Sequence, residues 1–206
     1  MRLYRTIASA QGGRVFANMG ATFGLTDELA AQVVRYFLPP IVKSIAKRTE
    51  TSRGLLHFLE FVGNHRDDRY WTDGAIFGDP KAEDEGCVIL SMLFSSPAQI
   101  NKIIENRAKV LPVPAPVLDM MFPYIAVLAL SAIEQRTREP LAKVLQHLAH
   151  GRIDPVSAAN PYKPLAGEIR RRHTATGGAT KRGGLSGMFG SLFSRGEGRN
   201  SARSAA

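Results

Sequence analysis

An all-α fold is what this sequence predicts: a multi-helix globule over residues 1–150 and a flexible basic tail over 151–206. Three observations carry that reading. Apolar residues recur at spacings of three and four along the first 150 positions, with no convincing alternating strand among them. Glycine, proline and capping residues punctuate those runs where helices should start and stop. The composition then shifts, since residues 163–206 hold nine of the 19 glycines and nine basic residues against two acidic ones. A hydrophobic content of 44% suits a globule. Gly/Ser richness with excess charge cannot repay the entropy of ordering a chain.

The elements follow in order. Residues 2–10 form a short helix that stops at Gly12-Gly13. Val15, Met19 and Phe23 lie four apart and place a second helix over 14–23, which Gly24 ends. Thr26 caps the third, with Asp27 and Glu28 near its positive end. Leu29, Val33, Val34, Phe37, Leu38, Ile41 and Ile45 line that helix. Pro39-Pro40 in its middle predicts a kink or two consecutive helices. A further helix covers 52–62. Residues 63–85 read as a long loop rich in Gly, Pro and Asp. That length is unusual in a compact domain, so part of it should pack, with Tyr70, Trp71, Ile76 and Phe77 as anchors. Helices resume over 84–94 and over 97–110, where Pro97 suits a first helical position. An apolar helix follows over 115–135, and a last one over 139–150 ends at Gly151.

Residues 33–41 and 117–125 echo one another at an offset of 84, each an apolar helix with an internal proline. Two pseudo-symmetric helical units would produce such an echo, as would two buried helices of similar composition. The most apolar stretch, 117–133, is interrupted by Asp119 and Pro123 and is short for a membrane span of roughly 20 residues. It reads as a buried core helix.

The net charge of +9 is unevenly placed. Residues 1–162 carry 18 basic and 16 acidic side chains, a net of +2, and residues 163–206 carry the other +7. No apolar core of a signal peptide follows the charged start. With one cysteine there is no disulfide framework and no multi-cysteine metal site. A cytoplasmic, bacterial-type protein is expected.

Several boundary motifs resemble a known family. Leu3-Tyr4, Ala10-Gln11-Gly12-Gly13 and Phe23-Gly24-Leu25-Thr26 precede a helix bearing Leu38-Pro39-Pro40. An acidic loop, Glu83-Asp84-Glu85-Gly86, leads into Ile89-Leu90-Ser91-Met92-Leu93-Phe94-Ser95-Ser96, and Met121-Phe122-Pro123 follows. This pattern, over roughly residues 1–135, resembles the bacterial domain-of-unknown-function family DUF 937, related to the YidB-like proteins. The resemblance implies an all-helical bacterial protein without an assigned activity. Here Ser91 and Ser95 stand where the family has glycines, and Met92 where it often has histidine.

No residue group identifies a reaction. His57, Glu60, His65 and Asp67 are the one loose His/carboxylate cluster, and a solvated helix end is favoured over a metal site. The acidic run 79–85 lacks the alternate-position pattern of a calcium loop. Cys87 reads as a buried structural cysteine rather than a nucleophile. No Gly-x-Ser-x-Gly elbow, phosphate-binding glycine loop or His-Glu-x-x-His helix occurs. No catalytic residue, metal or cofactor is therefore expected.

The tail offers two contact elements. Arg170, Arg171, Arg172, Lys181 and Arg182 are candidate phosphate contacts. Leu185, Met188, Phe189, Leu192 and Phe193 fall at helical spacing and are candidate partner or membrane contacts. The leading expectation is a non-enzymatic interaction or scaffold protein with a conditional contact tail and a protein partner. The alternatives are weak, non-specific nucleic-acid contact through the basic tail, and anionic-membrane attachment through 185–193.

Overall fold

The computed structural model describes residues 2–149 and 153–175. Among the described residues every regular element is helical, as the patterning predicts. In order they are α1 (Arg2–Ala8), α2 (Val15–Phe23), α3 (Asp27–Thr49), α4 (Ser52–Asn64), α5 (Arg69–Thr72), α6 (Pro80–Leu93), α7 (Pro97–Ala108), α8 (Ala115–Leu148), α9 (Pro155–Ala159) and α10 (Tyr162–Ala175), with 3-10 turns at Ala10–Gly13 and Gly74–Ile76.

Local chemistry sets the boundaries. Gly24 takes φ +69°, a left-handed conformation open to glycine, and this returns the Leu25 N–H to the Gly20 carbonyl at 2.9 Å. Thr26 then accepts the Leu29 N–H at 3.2 Å, which starts α3. Thr51 and Ser96 cap α4 and α7 in the same way. Asp79 accepts the Lys81 N–H at 3.0 Å, and Pro80 occupies the first position of α6. The helix thus begins four residues before the expected 84.

The two long helices are more continuous than their prolines suggest. α3 runs unbroken through Pro39 and Pro40. α8 runs through Pro123 and also Pro140, so the two helices expected over 115–135 and 139–150 are one. An interior proline costs roughly 3 kcal/mol. Against that, Phe37, Leu38, Ile41 and Ile45 in α3 are fully buried, as are Thr137, Leu141 and Leu145 around Pro140 in α8. Each large apolar side chain so buried contributes about 1.5–3 kcal/mol. The stripe on either side of the proline must stay in register to reach the core, and continuity is the result.

α8 forms the axis. Residues 121–130 are all buried, and α1, α3, α6, α7 and α10 lie against it. Phe122 meets Phe37 of α3 at 4.6 Å between ring centroids, and Phe94 from the end of α6 at 6.0 Å. Tyr124 sits between Phe23 and Phe77. α8 has the length and apolarity of a membrane span, and 72% of its most apolar window is buried within the protein. The echoing stretches of α3 and α8 meet at the Phe37–Phe122 contact. Their surroundings differ, because α3 packs on the preceding α2 while the main mate of α8 is α6, two elements earlier.

The long loop expected over 63–85 does pack. It contains α5, a 3-10 turn and the start of α6, and Tyr70, Ile76 and Phe77 are buried while Trp71 is half-buried against the core.

The expected end of the globule at residue 150 needs correction. Asp154 caps α9, and α10 packs its Tyr162, Leu165, Ala166 and Ile169 into the protein against α4 and α8. The physical reason is the spacing of those four residues, which is that of one helix face. Few apolar side chains suffice here, because α4 and α8 already present a groove.

The tightest approach is between α6 and α8. A Cβ added at Gly86 would lie 2.3 Å from the Pro123 carbonyl oxygen, well inside contact distance. Gly167, on α10, has nothing within 4 Å of the same position. Alanine is favoured over glycine in a helix by about 1 kcal/mol. Gly167→Ala should therefore raise stability by up to about 1 kcal/mol. Gly86→Ala should lower it by about 1–3 kcal/mol, because two backbones must separate. Urea denaturation of both variants checks this; equal signs would contradict the packing described.

Candidate functional site

The polar residues that chemistry needs collect where the α4–α5 connection crosses α8. His65 caps the end of α4, Arg66, Asp67 and Asp68 follow it, and Glu134 and Arg138 face them from α8. Val62, Trp71, Leu130, Ser131 and Gln135 complete a shallow cleft.

Every ionic group in the cleft has a partner. Glu134 is only 4% exposed and takes both Nε (2.5 Å) and an Nη (2.6 Å) of Arg138, a bidentate pair one helical turn apart. Arg66 approaches the same carboxylate at 3.7 Å. Arg138 also reaches Asp68 at 2.9 Å, tying the connection to α8. The Glu134 pair is the main reason the Arg138 guanidinium is held even more firmly in its charged form. Arg69 hydrogen-bonds Asp67 and lowers that carboxyl below its ordinary range. His65 Nδ1 lies 2.6 Å from Glu85 on α6, with its ring stacked on Phe61.

This arrangement fastens helices together. A buried ion pair offsets its desolvation only when geometry and hydrogen bonding are good, and the fork on Glu134 meets that condition. The free interior of the cleft is about 10 Å³, room for about one water molecule.

The segment 159–172 is fastened by the same residues. The Tyr162 hydroxyl, buried, donates to the Glu134 carbonyl at 3.0 Å and shares a 2.8 Å hydrogen bond with Thr137. Arg66 donates to the Ala159 carbonyl and Asn160 to that of Gly63.

The expected site residues separate accordingly. Of the His57, Glu60, His65 and Asp67 cluster, only His65 and Asp67 share the cleft. Glu60 pairs with Arg170 of α10, and His57 is exposed on α4. Among the described residues no group of His, Cys, Asp and Glu converges as metal ligands would. Cys87 is exposed rather than buried as expected, because the buried stripe of α6 passes through Gly86, Ile89 and Leu90 instead. Partial desolvation, with Glu83, Asp84 and Asp119 beside it, still pushes its thiol up, which disfavours the nucleophilic thiolate.

Of the candidate phosphate contacts, Arg170 pairs with Glu60. Arg171 and Arg172 both pair with Glu168, and Arg172 donates to the Leu148 carbonyl. Lys181 and Arg182 lie outside the described residues, as do Leu185, Met188, Phe189, Leu192 and Phe193. Sequence reasoning missed Glu134, Arg138, Arg66 and Tyr162. A carboxylate among apolar neighbours at 134, with arginine four residues on, was the available signal for the first two.

No family model matches the chain, and neither a curated protein nor a solved structure is found to be similar to it.

Two tests follow. Tyr162→Phe should cost about 1–2 kcal/mol, because it strands buried acceptors. It should also speed tryptic cleavage at Arg170 and Arg171, and unchanged cleavage would mean α10 is not held by this hydroxyl. Alkaline stability reports the buried phenols. Burial, helped by Glu85 and Asp67, pushes Tyr70 up to about 12, and burial also raises Tyr124 and Tyr162. Unfolded phenols ionise near ~10. The unfolded state therefore loses protons first, and stability should hold below pH ~10 and decline steadily toward pH ~12. Denaturation midpoints measured from pH 8 to 12 check it; a flat profile would contradict the burial.

Proposed function

We propose that this protein is a non-enzymatic interaction or scaffold protein whose helical globule holds a C-terminal contact segment at a fixed point. The observation that carries the reading is the fastening of α10. Tyr162, Leu165, Ala166 and Ile169 bind this helix to α4 and α8, so the chain leads into residues 176–206 from a defined place. The polar residues of the cleft support the same reading, since they are engaged in joining α4, α5, α8 and α10 to one another. Leu185, Met188, Phe189, Leu192 and Phe193 are the contact residues in this proposal. Their spacing suits a helix formed on docking into a partner's groove.

We also propose kinship with the DUF 937, YidB-like proteins. Its support is that the motifs of the resemblance fall on boundaries and crossings. Phe23-Gly24-Leu25-Thr26 is the turn from α2 to α3, and Gly86 and Pro123 form the contact of α6 with α8.

Cross-linking and affinity capture test the contact segment, using the full chain, a chain ending at Ala175, and the variant Phe189→Ser/Phe193→Ser. Partners captured by the full chain should be lost from both altered proteins. Identical partner lists for all three would overturn the proposal.

A further inference from the structure

Two groups of arginines among the described residues contrast, with Arg48, Arg53 and Arg107 outside both. Those near the cleft and α10 (Arg66, Arg69, Arg138, Arg170, Arg171 and Arg172) each pair with a carboxylate. Those gathered around α1 have no carboxylate partner among the described residues. Arg2 and Arg5 are exposed on α1 itself, and Arg14 is exposed ahead of α2. Arg35 of α3 lies with its guanidinium 4.8 Å above the Tyr4 ring. Arg136 of α8 reaches Thr6 of α1 at 3.4 Å.

Among the described residues no ion pair neutralises them, and the one carboxylate-bearing residue placed beside the Ala10–Gly13 turn, Asp73, caps the Ala75 N–H. The first 26 residues contain no Asp or Glu. Asp27 and Glu28 on α3 are two helical turns from Arg35, about 10 Å along the axis. On α8, Glu134 is committed to Arg138, and Glu139 to Lys143. A stacked column, packed against the core, lies beneath Arg35. Tyr4 lies against Phe16 at 5.5 Å with rings 19° from parallel, and Arg35 covers Tyr4. Tyr36, the next residue of α3, is 41% exposed.

We propose that this face of α1, α2 and α3 binds single-stranded nucleic acid. Unpaired guanidiniums engage phosphate oxygens as planar forks. Phe16 and Arg35 cover Tyr4, so the exposed ring of Tyr36 and the outer guanidinium plane of Arg35 are the surfaces offered to bases, which stack on such planes regardless of sequence. A membrane is the poorer occupant. The apolar side chains of α1, Leu3 and Ile7, are buried in the core, so this helix offers no aliphatic face to insert. The site uses residues other than those of the basic tail and of the proposed contact segment.

Fluorescence anisotropy with the full-length protein tests it, using a labelled 20-mer of thymidine or uridine over a salt series. Both single strands should bind at low salt. Arg5→Gln/Arg14→Gln/Arg35→Gln should weaken binding at least tenfold. It should also flatten the log–log salt dependence by about 2, roughly 0.7 for each cation removed from a single strand. Tyr36→Ala should weaken binding about tenfold with the salt slope unchanged, as loss of one stacked base would. Lys181→Gln/Arg182→Gln in the tail should have a smaller effect than the triple variant. Arg5 and Arg14 are exposed and Arg35 loses only its contact with Tyr4, so the triple variant should melt close to the parent. If it does not, photo-cross-linking of a thiouridine strand to the unaltered protein decides, and cross-links should fall within residues 2–16 and 35–36. No binding at low salt, an unaffected triple variant, cross-links confined to the tail, or preference for duplex, polyglutamate or anionic phosphatidylglycerol vesicles would each overturn the proposal.

Discussion

The fold depends on one close approach, the backbone of α6 lying directly on the backbone of α8 where Gly86 meets Pro123. No side chain separates the two helices there. That lets α8 sit at the centre, with residues 121–130 buried on all sides, rather than along an edge. The crossing brings Phe94 from the end of α6 and Phe37 from α3 onto Phe122. It also sets Tyr124 between Phe23 and Phe77, so the connection before α6 is pinned by the same contact. Because core packing is dense and poorly compressible, a shift at this point would be felt by every helix around α8.

Burial of this kind explains why prolines fail to break the long helices. A proline removes one backbone hydrogen bond and crowds the preceding turn, which is a local cost. The apolar stripes of α3 and α8 extend past their prolines into the same core, and a break would misdirect everything beyond it. The polar clamp works differently. Glu134 is a carboxylate in an apolar helix, and it is tolerable because Arg138 and Arg66 supply charge and its own carbonyl receives Tyr162. Removing one partner would leave the others buried and uncompensated, so the clamp makes α5, α8 and the segment 159–172 cooperative.

The helical class, the cap at Thr26, the first helical position of Pro97, the end at Gly24, and the anchoring role of Tyr70, Ile76 and Phe77 were legible because each rests on local chemistry. Periodicity, capping oxygens and glycine conformations act within a turn or two of the residue concerned. The continuity of α8 through Pro140 was not legible, because it is decided by what Leu141 and Leu145 touch. The same holds for α10. Its four buried residues sit at helical spacing, but they are outnumbered by arginine, lysine and glycine, and composition alone assigns such a segment to solvent. The groove between α4 and α8 that accepts them is a product of long-range packing. The site shows the same limit, since His65 and Asp67 were visible as chemistry-bearing residues while Glu134, 67 positions beyond Asp67, was visible only as a charge in an apolar run.

Charge gives the final instance. Counted along the chain, the excess falls after residue 162, and everything before it is nearly neutral. Neutrality of a sum does not imply neutrality of a surface. The fold spends its carboxylates unequally. Glu60, Asp67, Asp68, Glu134 and Glu168 all stand opposite arginines at the α4, α8 and α10 side, including the three arginines that look most like a phosphate-binding run. Among the described residues no carboxylate does this for Arg2, Arg5, Arg14 and Arg35, which belong to the part whose net charge is only +2. Electrostatic attraction follows local potential rather than the total. Among the described residues, openness to an anion therefore depends on which cations the fold leaves without a carboxylate, and around α1 that is decided only once α1 is laid against α3 and α8.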